Sequence, residues 1–160
     1  MRHLTVLRFA ALTCLALCLA ACASGQPRRV SEPAASIQQL TVRGDGHWSV
    51  DLRIENFSSV PMRFDGVSIG MALGGETAGT LQGQPRLEIG PESADIATLA
   101  LTPTPAARIA VADALATGRS IAYSLQGALD AAAGTGNARS YPVKRSSSLT
   151  PVPGLPGVLR

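Results

Sequence analysis

The chain has 160 residues, and 46% of them are hydrophobic, which is enough to build the core of one ordinary domain. Its 14 basic and 11 acidic side chains give a formal net charge of only +3, and aromatic residues make up 4%. The basic residues are scattered and no aromatic stacking platform accompanies them, which argues against a nucleic-acid partner. The 16 glycines and 11 prolines predict many turns.

Residues 1–21 have the pattern of an export signal. Arg2 and Arg8 give a positive start, and residues 9–21 form an uncharged run rich in Ala and Leu. This run is shorter than the roughly 20 residues that a membrane-spanning helix needs. We therefore expect the segment to be removed as a signal peptide.

The end of this segment resembles the lipobox of bacterial lipoproteins, since Leu19, Ala20, Ala21 and Cys22 match it at every position. The resemblance implies cleavage between Ala21 and Cys22, diacylglycerol on the Cys22 thiol and N-acylation, and two or three acyl chains make anchoring effectively permanent. Ala23 replaces the Asp that often retains lipoproteins in the inner membrane. We therefore expect an outer-membrane lipoprotein facing the periplasm of a Gram-negative cell, with the membrane as its partner through the acyl chains.

Two alternatives remain at this stage: an uncleaved anchor helix, and ordinary secretory cleavage after Ala21 or Ala23. If the lipoprotein prediction holds, Cys14 and Cys18 are removed and Cys22 carries lipid. The remaining 139 residues then contain no cysteine for a disulfide, a metal site or a redox site.

The first predicted element after Cys22 is a linker over residues 22–35, in which Arg28 and Arg29 are expected to be solvated. The alternative for this pair is contact with anionic lipid head groups. A hairpin follows, with strands at 37–43 and 47–57 around a Gly-Asp-Gly turn. The second strand alternates strictly, which is typical of a half-buried strand. Its apolar residues of one parity are Trp48, Val50, Leu52 and Ile54.

In the next strand, 62–73, the apolar residues occupy even positions before Asp65 and odd positions after it. One extra residue in a β-bulge would cause this change. Short strands are expected at 78–81 and 86–89, and a longer one at 94–101. The last predicted strands, 120–129 and 139–149, are joined by a glycine-rich turn.

Between the strands expected at 94–101 and 120–129, Thr104 and Pro105 have the pattern of an N-cap and a first helical residue. They predict a helix to about Thr117 that buries Ile109, Ala112 and Leu115. Pro142 predicts that the last strand either lies at a sheet edge or is interrupted. Residues 150–160 contain three prolines and are expected to form an extended tail outside the sheets.

About seven short strands at regular spacing, with one helix before the penultimate strand, predict an all-β antiparallel sandwich over residues 36–149. The ionisable residues do not suggest catalysis. His47 is the only histidine after Cys22, and Asp51, Arg53 and Glu55 share one solvated strand face. We expect no enzyme, no cofactor and no metal site.

The stretch from residue 51 to residue 75 resembles the core of the group 2 late-embryogenesis-abundant domain, also called the water-stress and hypersensitive-response (WHy) domain. In that family an alternating apolar strand leads to Asn-Pro. A few residues later comes a second Pro, and a second alternating strand then ends near Gly-Gly. Asn56 and Pro61 stand at the matching turn positions, and Phe57 replaces the usual Pro after Asn. The resemblance implies a fibronectin-III-like or immunoglobulin-like sandwich, a role in desiccation and other stress, and no catalytic residues.

Three functions are compatible with these observations. The leading hypothesis is a noncatalytic lipoprotein that protects envelope proteins or membranes during stress. The alternatives are a module that binds lipid or another apolar ligand, and an interaction subunit that docks on envelope proteins through its last strand or its proline-rich tail.

Overall fold

The computed structural model describes residues 28–160, so the predicted signal peptide, Ala21 and Cys22 lie outside the described residues. The described chain contains nine strands and one helix. In chain order they are β1 Ala34–Val42, β2 Trp48–Asn56, β3 Met62–Leu73, β4 Glu76–Gly83, β5 Leu87–Ile89, β6 Ser93–Leu101, α1 Pro105–Thr117, β7 Ile121–Ala133, β8 Arg139–Leu149 and β9 Val158–Leu159.

The strands form two antiparallel sheets, as predicted for a sandwich. One sheet has the order β6-β2-β1-β9, and the other has the order β4-β3-β7-β8 with β5 paired to β3. The predicted hairpin is formed by β1 and β2, whose paired residues run from Ala34 opposite Glu55 to Val42 opposite Trp48. β5 corresponds to the short strand expected at 86–89, and β9 is the strand that the sequence did not predict.

Strand alternation places the core between the sheets. Trp48 is 2% exposed, and the residues that share its parity in β2 are fully buried. In β3 the register shifts between Phe64 and Gly66, so Asp65 is the predicted extra residue. The shift returns the following apolar side chains of β3 to the core side of the sheet. Pro142 lies on β8, which is an edge strand as predicted.

Helix α1 begins and ends where the sequence predicts, but it buries a different face. Thr104 Oγ1 accepts a hydrogen bond from Ala107 N (3.3 Å), and Gly118 adopts the left-handed conformation at the C-cap. The buried residues are Ala107, Val111 and Ala114, whereas Ile109 is 71% exposed. Alanines occupy nearly every face of this helix, so the spacing of its apolar residues did not indicate which face is buried. The small residues allow the helix to lie close to the ends of β3 and β4.

The prediction of a free tail over residues 150–160 is wrong. β9 pairs with Leu40 and Thr41 of β1, and Val42 N donates to Gly157 O (2.8 Å). The prolines do not prevent this pairing, because the N–H groups that form hydrogen bonds within the segment belong to other residues, namely Thr150, Val152, Leu155, Val158 and Arg160. The C-terminal segment is thus an integral part of the first sheet.

Replacement of the buried Leu159 tests whether this segment stabilises the fold. Leu159 is fully buried, whereas Leu155 in the same segment is 48% exposed. We expect Leu159→Ala to lower the free energy of unfolding by about 2–5 kcal/mol. The matched variant Leu155→Ala should change it by less than about 0.5 kcal/mol. Urea unfolding followed by Trp48 fluorescence measures both, and equal effects would show that the segment is only loosely attached.

Candidate functional site

The described chain begins at one end of the sandwich, which we call the Asn56 pole. The Asn56 pole comprises residues 28–33, the loop 57–61 between β2 and β3, the turn 90–92 and the loop 134–138. β1 starts at this pole and β2 ends there, because the two strands are antiparallel. The opposite pole carries the β1–β2 turn, α1 and the C-terminal segment. The two positions matched to the family turn, Asn56 and Pro61, both lie at the Asn56 pole.

The Asn56 carboxamide holds the pole together. Asn56 is 1% exposed, and its Nδ2 donates to the carbonyl oxygens of Val60 (2.9 Å), Ile89 (3.1 Å) and Gly90 (2.9 Å). Its Oδ1 accepts a hydrogen bond from Ser58 N (2.9 Å), which forms an Asx turn. One side chain thereby joins the end of β2 in one sheet to β5 in the other. The family-like Asn is a structural residue at this turn.

Ser58 is fully buried beside Asn56, although its position was not predicted from the sequence. Ser58 Oγ accepts a hydrogen bond from Ser31 N (3.0 Å) and lies 3.3 Å from both Ser31 O and Met62 Sδ. The signal was present in the sequence, since an Asn at the end of a strand often bonds the backbone two residues later. Ser58 connects the loop to the incoming chain.

Arg28 and Arg29, near the end of the predicted linker, are exposed to solvent as expected, but they also form hydrogen bonds with the pole. Arg28 Nη2 donates to Ala133 O (2.8 Å). Arg29 Nη2 donates to Phe57 O (2.9 Å) and to Glu92 Oε1 (3.0 Å). These contacts involve residues that are distant in sequence, and no local pattern indicates them. They fix the direction in which the chain enters the domain.

Pro61, the second family position, is exposed and closes the loop from the other side. Its carbonyl oxygen accepts a hydrogen bond from Gly134 N (2.8 Å) in the loop after β7. Asn56 and Pro61 are therefore at the two ends of one short loop, each bonded to a different neighbouring turn.

Two bulky apolar side chains are exposed at this pole. Phe57 is 48% exposed and Val30 is 46% exposed. Arg29 N donates to Ser59 Oγ (2.9 Å) and Ser59 N donates to Arg29 O (3.0 Å), so the two segments are held side by side. A shallow depression of about 340 Å³ lies beside Phe57 and is lined in part by Arg29, Arg53, Glu55 and Glu92. Apolar groups and balanced charges thus meet on one surface.

The charged residues considered as catalytic candidates lie on exposed strand faces. Asp51 accepts a hydrogen bond from Thr98 Oγ1 (2.7 Å), and Arg53 pairs with Glu55 (3.3 Å). His47 Nδ1 lies 3.0 Å from Thr102 Oγ1. Within residues 28–160, no group of three His, Cys, Asp or Glu side chains is placed to hold a metal ion. The same residues include no helix that is long and apolar enough to span a membrane.

Part of the outer face of the five-stranded sheet is nearly free of charge, whereas Arg63, Glu88 and Asp130 lie on the same face toward the Asn56 pole. Three cross-strand rows farther from that pole are small or polar, and Lys144 carries their only charge. The rows are Gln82, Ser68, Ala128, Pro142; Thr80, Gly70, Gln126, Lys144; and Thr77, Ala72, Ser124, Ser146. This face presents hydroxyl and amide groups to the solvent.

At the opposite pole, an open groove of about 610 Å³ lies between the end of α1 and the C-terminal segment. Leu115, Gly118 and residues 151–157 are among its lining residues. Because β9 is paired with β1, the proline-rich segment forms one wall of this groove and is not a free docking tail.

No protein-family model and no curated protein matches the chain. Among solved structures, it is similar to the solution structure of a protein from Arabidopsis thaliana, with 11% identity over 77% of this chain and 80% of that chain, and a TM-score of 0.50. A crystal structure of a protein from Archaeoglobus fulgidus matches with 16% identity over 76% of this chain and 97% of that chain, and a TM-score of 0.45. At such identity the likeness to the Arabidopsis protein concerns the fold alone.

Replacement of Asn56 by Asp tests the role of the carboxamide. The new carboxylate would face the three carbonyl oxygens that Nδ2 now binds, so we expect a loss of about 3–5 kcal/mol at pH 7, as for an uncompensated buried charge. Burial raises the pKa of the new carboxyl group, and its protonated form can donate a hydrogen bond. The variant is therefore stabilised below this pKa, and the deficit grows as the pH rises through it.

Urea unfolding of the variant and the parent at pH 4.5 and pH 7.5 measures this difference. The control is Asn137→Asp, which makes the same change at an exposed loop position and should alter stability by less than about 0.5 kcal/mol. An Asn56→Asp deficit that is small, or equal at both pH values, would contradict the proposed role of the amide.

Proposed function

We propose that this chain is a noncatalytic lipoprotein, acylated on Cys22, that protects envelope proteins or membranes during desiccation and related stress. Its place would be the outer membrane, facing the periplasm. The observation that carries the proposal is the lipobox-like Leu-Ala-Ala-Cys at residues 19–22, followed by a sandwich whose Asn56 turn resembles that of the water-stress domain.

The scatter of ionisable groups supports a noncatalytic role. Catalytic acids and bases must meet within hydrogen-bond reach of one reacting atom. Asp51 is bonded to Thr98 and Glu55 to Arg53, each on an exposed strand face. His47 lies at the opposite pole beside Thr102. These groups are bonded to their own neighbours and do not converge on one cleft.

The three nearly uncharged rows on the outer face of the five-stranded sheet offer a physical route to protection. As water is removed, polar groups of a client protein or membrane lose their hydrogen-bond partners, and each unmet buried group costs free energy. Hydroxyl and amide groups such as those of Ser124, Gln126 and Ser146 can form hydrogen bonds in place of water. A nearly uncharged face can do so next to clients of either charge.

The first test of the proposal is the mass of the mature protein. The full precursor is expressed in a Gram-negative host and extracted with detergent. We expect an intact mass that begins at Cys22 and includes acyl chains, together with outer-membrane fractionation. The Cys22→Ala variant should carry no acyl chains. A parent protein with an unmodified N-terminus would overturn the lipid anchor.

The second test is protection through drying. Lipid vesicles containing a dye are dried and rehydrated with the acylated protein, with the Cys22→Ala variant or with serum albumin. We expect the acylated protein to retain the most dye, because its anchor holds the domain at the membrane it protects. For a soluble test enzyme, the anchored and unanchored forms should protect equally and better than albumin.

The same samples address the two alternatives. Protection no better than that of albumin with both clients would remove the stress function. Native mass spectrometry would then show whether a co-purified lipid or a co-purified envelope protein accompanies the domain. Either finding would favour the corresponding alternative function.

A further inference from the structure

The sandwich has a long axis that separates its two poles. β2 runs from the opposite pole to the Asn56 pole and contains nine residues. At about 3.4 Å per residue, this strand alone spans roughly 30 Å. Arg28, where the described chain begins, is held at the Asn56 pole by its bond to Ala133 O at the end of β7.

The chain between the proposed anchor and this pole is short. Cys22 and Arg28 are six positions apart in the sequence, and six fully extended residues span at most about 22 Å. If the opposite pole touched the membrane, Arg28 would lie roughly 30 Å from the membrane, beyond that reach. With Cys22 acylated, the opposite pole therefore cannot be the surface that rests on the bilayer.

The exposed residues of the Asn56 pole suit a bilayer interface. Phe57 and Val30 both present apolar surface at this pole, and apolar side chains flanked by cations favour the boundary between headgroups and acyl chains. Arg28 forms no ion pair with a carboxylate among residues 28–160. Its guanidinium has five N–H donors and, within that part of the chain, one carbonyl partner, which leaves donors for a lipid phosphate.

We propose that the Asn56 pole is a membrane-contact surface, on which Phe57 and Val30 enter the interface of the phospholipid bilayer and Arg28 binds lipid phosphate. The proposal rests on the acylation of Cys22 described under the proposed function. It goes further in assigning a fixed orientation, in which α1, the groove beside it and the C-terminal segment point away from the membrane.

Tryptophan substitutions test this orientation in the full acylated protein. Phe57→Trp places a reporter at the Asn56 pole, and Leu155→Trp places one at the opposite pole with the same starting exposure of 48%. The native Trp48 is buried, so the parent protein supplies a common background for both variants. Each protein is reconstituted in vesicles of phosphatidylethanolamine and phosphatidylglycerol, with or without bromine on the acyl chains.

We expect brominated lipid to reduce the fluorescence added by Phe57→Trp about twofold, because the side chain lies at acyl-chain depth. The Leu155→Trp signal should be unchanged by bromine and quenched by aqueous iodide. Removing the phosphate contact with Arg28→Gln in the Phe57→Trp protein should weaken the bromine quenching. Circular dichroism establishes that each variant retains the β-sheet spectrum of the parent.

The outcomes separate this inference from the proposed function. If the Phe57→Trp protein is acylated but its added fluorescence is quenched by iodide and not by bromine, the membrane contact is overturned and the anchor stays intact. Bromine quenching of Leu155→Trp would reverse the orientation and also overturn the inference. An intact mass without acyl chains overturns the proposed anchor first, and the orientation with it.

Discussion

The fold depends on one buried amide at the point where the chain leaves the first sheet for the second. Asn56 must donate to carbonyl groups of β5 and of its own loop while it accepts from Ser58 N. An Asp offers no donor when ionised, and an apolar residue would leave several backbone groups without partners. Because every polar atom of this amide is bonded, the crossing between the sheets has one defined geometry.

The position of the incoming chain follows from that geometry. The Asx turn of Asn56 buries Ser58, and Ser58 binds Ser31, so residues 28–31 lie along the loop instead of extending into solvent. Arg29 strengthens the same contact through Phe57 O. The turn that resembles the water-stress family thus also determines where a membrane anchor would pull on the domain. This link connects the fold to the proposed orientation.

Sequence patterns predicted those elements whose conformation depends on residues that are neighbours in the sequence. Alternation identified the strands, Asp65 marked the bulge, Pro142 marked an edge strand, and Thr104 capped the helix. The errors concern segments whose partners are distant in sequence. Leu159 is buried because β1 has an open edge to cover, and Arg28 is ordered because Ala133 O lies within reach. The buried face of α1 depended on its close approach to β4, which an alanine-rich sequence does not reveal.

Several features of the sheet edges oppose pairing with other chains. An open strand edge presents unpaired N–H and C=O groups on which another strand can add. β9 covers part of β1, and the edge strand β8 carries Pro142 and Lys144, both of which oppose further pairing. The prolines of residues 150–160 serve the same end, since they form turns that bring β9 back to β1 and cannot themselves donate to a foreign strand. The C-terminal segment, which the sequence predicts as a free tail, therefore pairs with the edge of β1 and prevents that part of the edge from pairing with another chain.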